Sequence, residues 1–120
     1  MRDILFRGKT KEGNWVTGSY IRGAKYFINV REDEQQYEVI PESIGEYTGM
    51  YDVYGNRIFE GDIVQSLFNG IPYKTGKIIF QYSKFVFETP SDYSEMISCD
   101  FQIIGNIYDN PELYREEVKK

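Results

Sequence analysis

With 120 residues, 41% of them hydrophobic, and a formal net charge of −5, the chain suits one compact domain or one small barrel with an extension, and two independent cores are not expected. It has no His and a single Cys, Cys99, which excludes His-based triads, His-ligated metals, an intrachain disulfide and a thiolate zinc cluster, and fits a reducing compartment. The acidic balance argues against broad binding to a phosphate backbone, and the 17% aromatic content tilts the sequence toward β structure.

Met1 leads straight into Arg2-Asp3 and no run of ~18 apolar residues follows, so neither a signal peptide nor a membrane span is expected, and the cytoplasm is the expected location. Ile4-Leu5-Phe6-Arg7 is a short apolar run ending at Gly8. A polar turn over Lys9 to Asn14 then feeds Trp15 to Tyr20, which reads as a β-hairpin. Trp15 is the single Trp and is expected to be a structural anchor, given the area an indole buries. Lys25 to Val30 predicts a third strand, and Arg31 to Gln36 a solvated charged loop. Tyr37-Glu38-Val39-Ile40 alternates with period 2 and ends at Pro41-Glu42-Ser43.

The stretch from Tyr47 to Val64 organises the whole sequence. Gly49, Gly55 and Gly61 punctuate it where the backbone is expected to take positive φ and reverse, delivering Ile58, Phe59, Ile63 and Val64 to a common interior. Asp52 to Asn56 is one turn and Glu60-Gly61-Asp62 a second. Asn69-Gly70 suits a hairpin reversal before the strand Tyr73 to Phe80, in which Gly76 is the expected bulge or bend. A turn at Ser83-Lys84 and a surface loop from Thr89 to Ser94 come next, and then the last strand, Asp100 to Ile104. Asn110 is the expected N-cap, with Pro111 in the first helical position, of a short terminal helix to about Val118.

Two ordered blocks carry a family resemblance. The first is Thr48-Gly49, Gly55 and Ile58-Phe59-Glu60-Gly61-Asp62-Ile63-Val64; the second is Gly105-Asn106-Ile107-Tyr108-Asp109-Asn110-Pro111-Glu112-Leu113. Together with the opening Arg2-Asp3-Ile4-Leu5-Phe6-Arg7, they resemble the signature blocks of the YopX family, small proteins of phages and prophages. Tyr51 and Val53-Tyr54 stand where Lys- and Asp-rich turns are more usual in that family. The resemblance implies a mainly β protein with an SH3-like barrel in its C-terminal part, an N-terminal β region and a short C-terminal helix, encoded by a phage or an integrated element. It implies no activity. The expected division is an N-terminal β region over 1–44 and the barrel region over 45–120, with one continuous domain as the alternative.

No catalytic set, cofactor motif or metal-ligand spacing stands out. Glu60 and Asp62 share a side if extended, but two carboxylates are too few for a hard cation, and turn stabilisation by Asp62 is the simpler reading. Asn106, Tyr108, Asp109 and Asn110 suit turn and capping roles, with Tyr108 the member expected to reach a surface. Lys74, Lys77 and Lys84, interleaved with Tyr73, Tyr82 and Phe85, form the patch with the composition of a single-strand stacking surface. The favoured function is a non-enzymatic accessory protein that meets a protein partner, or its own copy, through exposed strand edges or the loop at 89–95. The alternative is weak single-stranded nucleic-acid binding through the Lys74, Lys77 and Lys84 face.

Overall fold

A computed structural model describes residues 4–95 and 100–114. Arg2-Asp3, Cys99 and residues 115–118 of the expected helix lie outside them. The protein is mainly β and divides into two compact units, 1–49 and 50–120.

The first unit carries β1 (Phe6–Lys9), β2 (Trp15–Arg22), β3 (Tyr26–Val30), β4 (Gln35–Glu38) and the first residues of β5 (Gly45–Tyr51), antiparallel in the order β4-β3-β2-β1-β5. The β1–β2 hairpin is as expected, with Phe6 opposite Gly18 and Lys9 opposite Trp15. Two departures concern the next reversal. The charged loop is shorter than predicted, and β4 starts at Gln35 because the backbone turns at Glu34, whose φ is 57°. Asp33 then accepts hydrogen bonds from the Gln35 N–H and the Tyr37 hydroxyl, which anchors the new strand. Ile28, Val39 and Tyr47 are buried. Val39 packs onto Gly8, where a Cβ would lie 2.9 Å from the valine side chain, so only glycine admits it. Trp15 is half-buried, with the Arg7 guanidinium 4.7 Å and the Lys9 ammonium 5.8 Å from its ring centre, a structural setting for the indole.

In the second unit the backbone reverses after Tyr51 into β6 (Arg57–Phe59), then runs through β7 (Asp62–Phe68), β8 (Ile71–Gln81), β9 (Lys84–Glu88), β10 (Tyr93–Glu95) and β11 (Asp100–Asn106). Strands β7 to β11 form an antiparallel sheet in the order β10-β9-β8-β7-β11. This order leaves β10 and β11 as edges, so the described strands form an open sheet rather than a closed barrel. Its core is Ile58, Val64, Ile78, Phe87 and Phe101, with Met50, Phe85 and Ile103 packed against it and the Phe87 and Phe101 rings 5.1 Å apart. Gly49, Gly55 and Gly61 take the positive φ expected of them, 91°, 84° and 95°; Gly55 and Gly61 lie in turns, but Gly49 sits within β5, so the expected reversal there does not occur.

The bulge does not fall at Gly76. That residue pairs regularly with Val64, and a Cβ there would lie 2.7 Å from the Phe87 ring, so its role is close packing. The register slips instead at Tyr73, the extra residue between Pro72 opposite Leu67 and Lys74 opposite Ser66.

The terminal helix is also corrected. Pro111–Leu113 forms one 3-10 turn, and the Asn110 side chain makes no capping bond to it. Asn110 Oδ1 reaches back to accept the Asn106 N–H at 3.2 Å, while the Asn110 N–H donates to the Asn106 carbonyl at 2.8 Å. Folding back places Asn110 and Leu113 against Gly105, where a Cβ would lie 2.7 Å from Asn110 Oδ1 and 2.9 Å from the Leu113 side chain.

One carboxylate ties the second unit together. Asp52 is buried; its Oδ1 accepts the N–H groups of Tyr54 at 3.0 Å and Asn56 at 2.9 Å, and its Oδ2 accepts the Ile103 N–H at 3.2 Å. Burial alone raises its pKa, but the backbone donors of Asn56, Ile103 and Tyr54 and the Asn56 side chain outweigh it and hold the carboxyl below its ordinary range. A depressed folded pKa means the unfolded protein takes up the proton first as pH falls. The stabilisation is therefore present above the unfolded value of about 3.9 and is lost as pH drops through the folded one. Asp52→Asn turns an amide N–H toward a backbone donor and is expected to cost about 1–3 kcal/mol at neutral pH, a difference that narrows in urea titrations repeated at falling pH. Gly105→Ala, which drives a methyl into the bonded Asn110 amide, is expected to lower thermal stability by about 1–3 kcal/mol.

Candidate functional site

The side chains singled out from the sequence do not converge. On an antiparallel sheet, directly opposed residues share a face and successive residues alternate. Lys74 lies opposite Ser66, and Lys77 opposite Ile63, so the two lysines project from opposite faces. Lys84, opposite Gln81, shares the face of Lys77 but sits four positions along, about 13 Å away. Lys74 Nζ is 3.4 Å from Asp92 Oδ2. Lys77 Nζ is 3.6 Å from Glu88 Oε1 and 4.7 Å from the centre of the Tyr114 ring. Tyr108 belongs to the turn after β11, its N–H donating to Asn106 Oδ1 at 3.0 Å. Asp62 is buried and accepts the Phe59 N–H at 2.8 Å, the turn-stabilising role expected of it. Among the described residues, no group of three or more Asp, Glu or Cys converges.

A surface forms instead at the β7–β8 tip. Asn69 and Gly70 have φ of 51° and 78°, the double positive φ of a type I′ turn, whose twist matches the flanking strands. That tight reversal sets Phe68 directly opposite Ile71, with both side chains about two-thirds exposed or more, at 71% and 68%. The bulge turns out Tyr73, 72% exposed, with the Lys74 ammonium 5.6 Å from its ring centre. Asp92 then links this tip to the turn after β9. Its Oδ1 accepts the Thr89 hydroxyl at 2.6 Å, its N–H donates to Thr89 Oγ1 at 3.1 Å, and its Oδ2 faces Lys74. The Thr89 hydroxyl, joined by the Lys74 charge and hydrogen bond, outweighs the opposing effect of burial and holds the Asp92 carboxyl below its ordinary range. Three apolar side groups are thus presented together at the β7–β8 tip, which Lys74 and Asp92 link to the turn after β9.

A model of the YopX protein family matches residues 5–115. The chain belongs to the YopX family. No curated protein matches it. The matched span takes in the Asp52 turn, the β7–β8 tip and the fold-back after β11, so all three are parts of the YopX domain rather than of an appendage.

Tyr82 is the remaining aromatic of the expected patch. It stands about 30 Å along β8 from Tyr73, in the two-residue β8–β9 turn, which sits one position earlier than predicted. Tyr82 and Ser83 take φ of 53° and 65°, positions that favour Asn and Gly, and Tyr82 is 81% exposed. The ring is held in strained backbone without burial to offset it. Replacing the pair, Tyr82→Asn with Ser83→Gly, is expected to stabilise the fold by about 1 kcal/mol, read from the urea midpoint at constant m.

Proposed function

We propose that this YopX protein is a non-enzymatic interaction module, and that the β7–β8 tip, with Phe68, Ile71 and Tyr73, is its contact surface for a protein partner or a second copy. The observation that carries the reading is the exposure of three large apolar groups on one braced turn, in a sequence otherwise rich in charge. Strand-edge pairing is the less favoured route. The outward carbonyl of Phe101 and N–H of Ile103 on β11 are taken by the Val53 N–H and by Asp52.

The finer fold assignment is proposed on connectivity. A four-strand meander, β7 to β10, with β11 returning to pair with β7, is the strand order of an SH3-like barrel. The phage or prophage setting, with the bacterial cytoplasm as location, rests on the family resemblance. Nucleic-acid binding through Lys74, Lys77 and Lys84 is disfavoured because the lysines are split between two faces and two of them already sit beside carboxylates.

The test is the double variant Phe68→Ser/Ile71→Ser, compared with the parent by light scattering over a concentration series and by crosslinking in cells carrying the gene. Loss of complexes by roughly 10- to 100-fold, equivalent to about 1.4–2.8 kcal/mol, supports the tip as the contact. Unchanged complexes in a folded double variant would overturn it. Salt-sensitive retention of single-stranded DNA by both proteins would revive the nucleic-acid reading.

A further inference from the structure

The same tip holds a chemically labile bond. Asn69-Gly70 is the one place in the sequence where an asparagine precedes a glycine; Asn14, Asn29, Asn56, Asn106 and Asn110 are followed by Trp, Val, Arg, Ile and Pro. An asparagine amide is attacked by the backbone nitrogen of the residue that follows, and any Cβ on that residue obstructs the approach. Gly70 has none, and the space where a Cβ would stand is open to beyond 4 Å. Asn69 and Gly70 are both exposed, and among the described residues no hydrogen bond ties down the Asn69 amide or the Gly70 N–H. The contrast with Asn106 and Asn110 is direct, since their side chains are engaged in turn hydrogen bonds. Hairpin tips also open locally at little cost, which gives the backbone the freedom that ring closure needs.

We propose that Asn69 is a site of spontaneous deamidation that acts as a slow switch on the β7–β8 tip. The Gly70 nitrogen attacks Asn69 Cγ. The new N–Cγ bond closes a succinimide, the Cγ–Nδ2 bond breaks, and the Gly70 amide proton leaves with the amino group as ammonia. Water then opens the ring at either carbonyl, giving aspartate or isoaspartate. The two products differ in what they do to the turn. Asp-Gly is itself a favoured type I′ pair, so aspartate keeps Phe68 opposite Ile71 and adds one negative charge. Isoaspartate routes the backbone through Cβ and Cγ of residue 69. The extra backbone atom in a two-residue turn displaces the register that sets the two apolar groups side by side.

The modification stands on the geometry of the tip alone, whereas its consequence for contact rests on the function proposed above. Folded wild-type protein and Asn69→Gln are aged in warm, mildly alkaline buffer and peptide-mapped by mass spectrometry, with isoaspartate counted by enzymatic methylation. The expected result is an amide-to-acid mass gain that appears first in the peptide carrying Phe68 to Lys74 and is missing from Asn69→Gln. Conversion of the other asparagines ahead of Asn69, or no conversion of the folded protein, overturns the site. For the switch, Asn69→Asp is expected to keep the Phe68–Ile71 cross-strand NMR contacts and the isoaspartyl form to lose them. Retention of those contacts by the isoaspartyl form overturns the switch while leaving the site intact, and neither result depends on the tip having a partner.

Discussion

The second unit depends on the placement of one buried carboxylate. Asp52 gathers three backbone N–H groups, two from its own turn and one from Ile103, 51 residues along the chain, joining the turn before β6 to the last strand. A buried carboxylate without donors would be costly, and a strand edge with unpaired N–H and C=O groups invites association. Here each problem solves the other. The edge of β11 supplies the donor that Asp52 needs, while Asp52, with the neighbouring Val53 N–H, closes the edge.

With β11 closed on that side, the fold-back after it becomes a second brace. Asn106 and Asn110 exchange main-chain and side-chain hydrogen bonds, and Gly105 gives them room. The sheet is then secured at β11, at the Asp52 turn and at the Ile58–Val64–Ile78–Phe87–Phe101 core. The β7–β8 tip projects from this frame. A turn of favoured chemistry sets its register and the Lys74–Asp92–Thr89 link joins it to the turn after β9, so its exposed residues are presented together without burial of their own.

Much of this frame was legible in the sequence where the chemistry is local. The three glycines of the Tyr47–Val64 stretch and the Asn69-Gly70 pair announce positive φ by residue type alone, and Asp52 before Gly55-Asn56 reads as a turn. What escaped depends on distant partners. Nothing local tells that the second oxygen of Asp52 meets Ile103, or that the Asn110 side chain turns back to Asn106 instead of capping a helix. The lysine patch failed for a geometric reason: the extra residue at Tyr73 resets the alternation of β8, and Lys74 and Lys77 sit an odd number of positions apart in any case. Phe68 and Ile71 carried a readable signal, since apolar residues flanking an Asn-Gly turn are set opposite each other at a hairpin end, where the sheet leaves them uncovered.

The most direct measurement is native-state hydrogen exchange at the Ile103 amide, compared with its strand neighbours. With Asp52 in place this outward-facing N–H is hydrogen-bonded, so it should be protected to the same degree as the inward-bonded amides of β11, together with Tyr54 and Asn56. Exchange at Ile103 at the rate of an open strand edge, while the rest of β11 remains protected, would contradict the account.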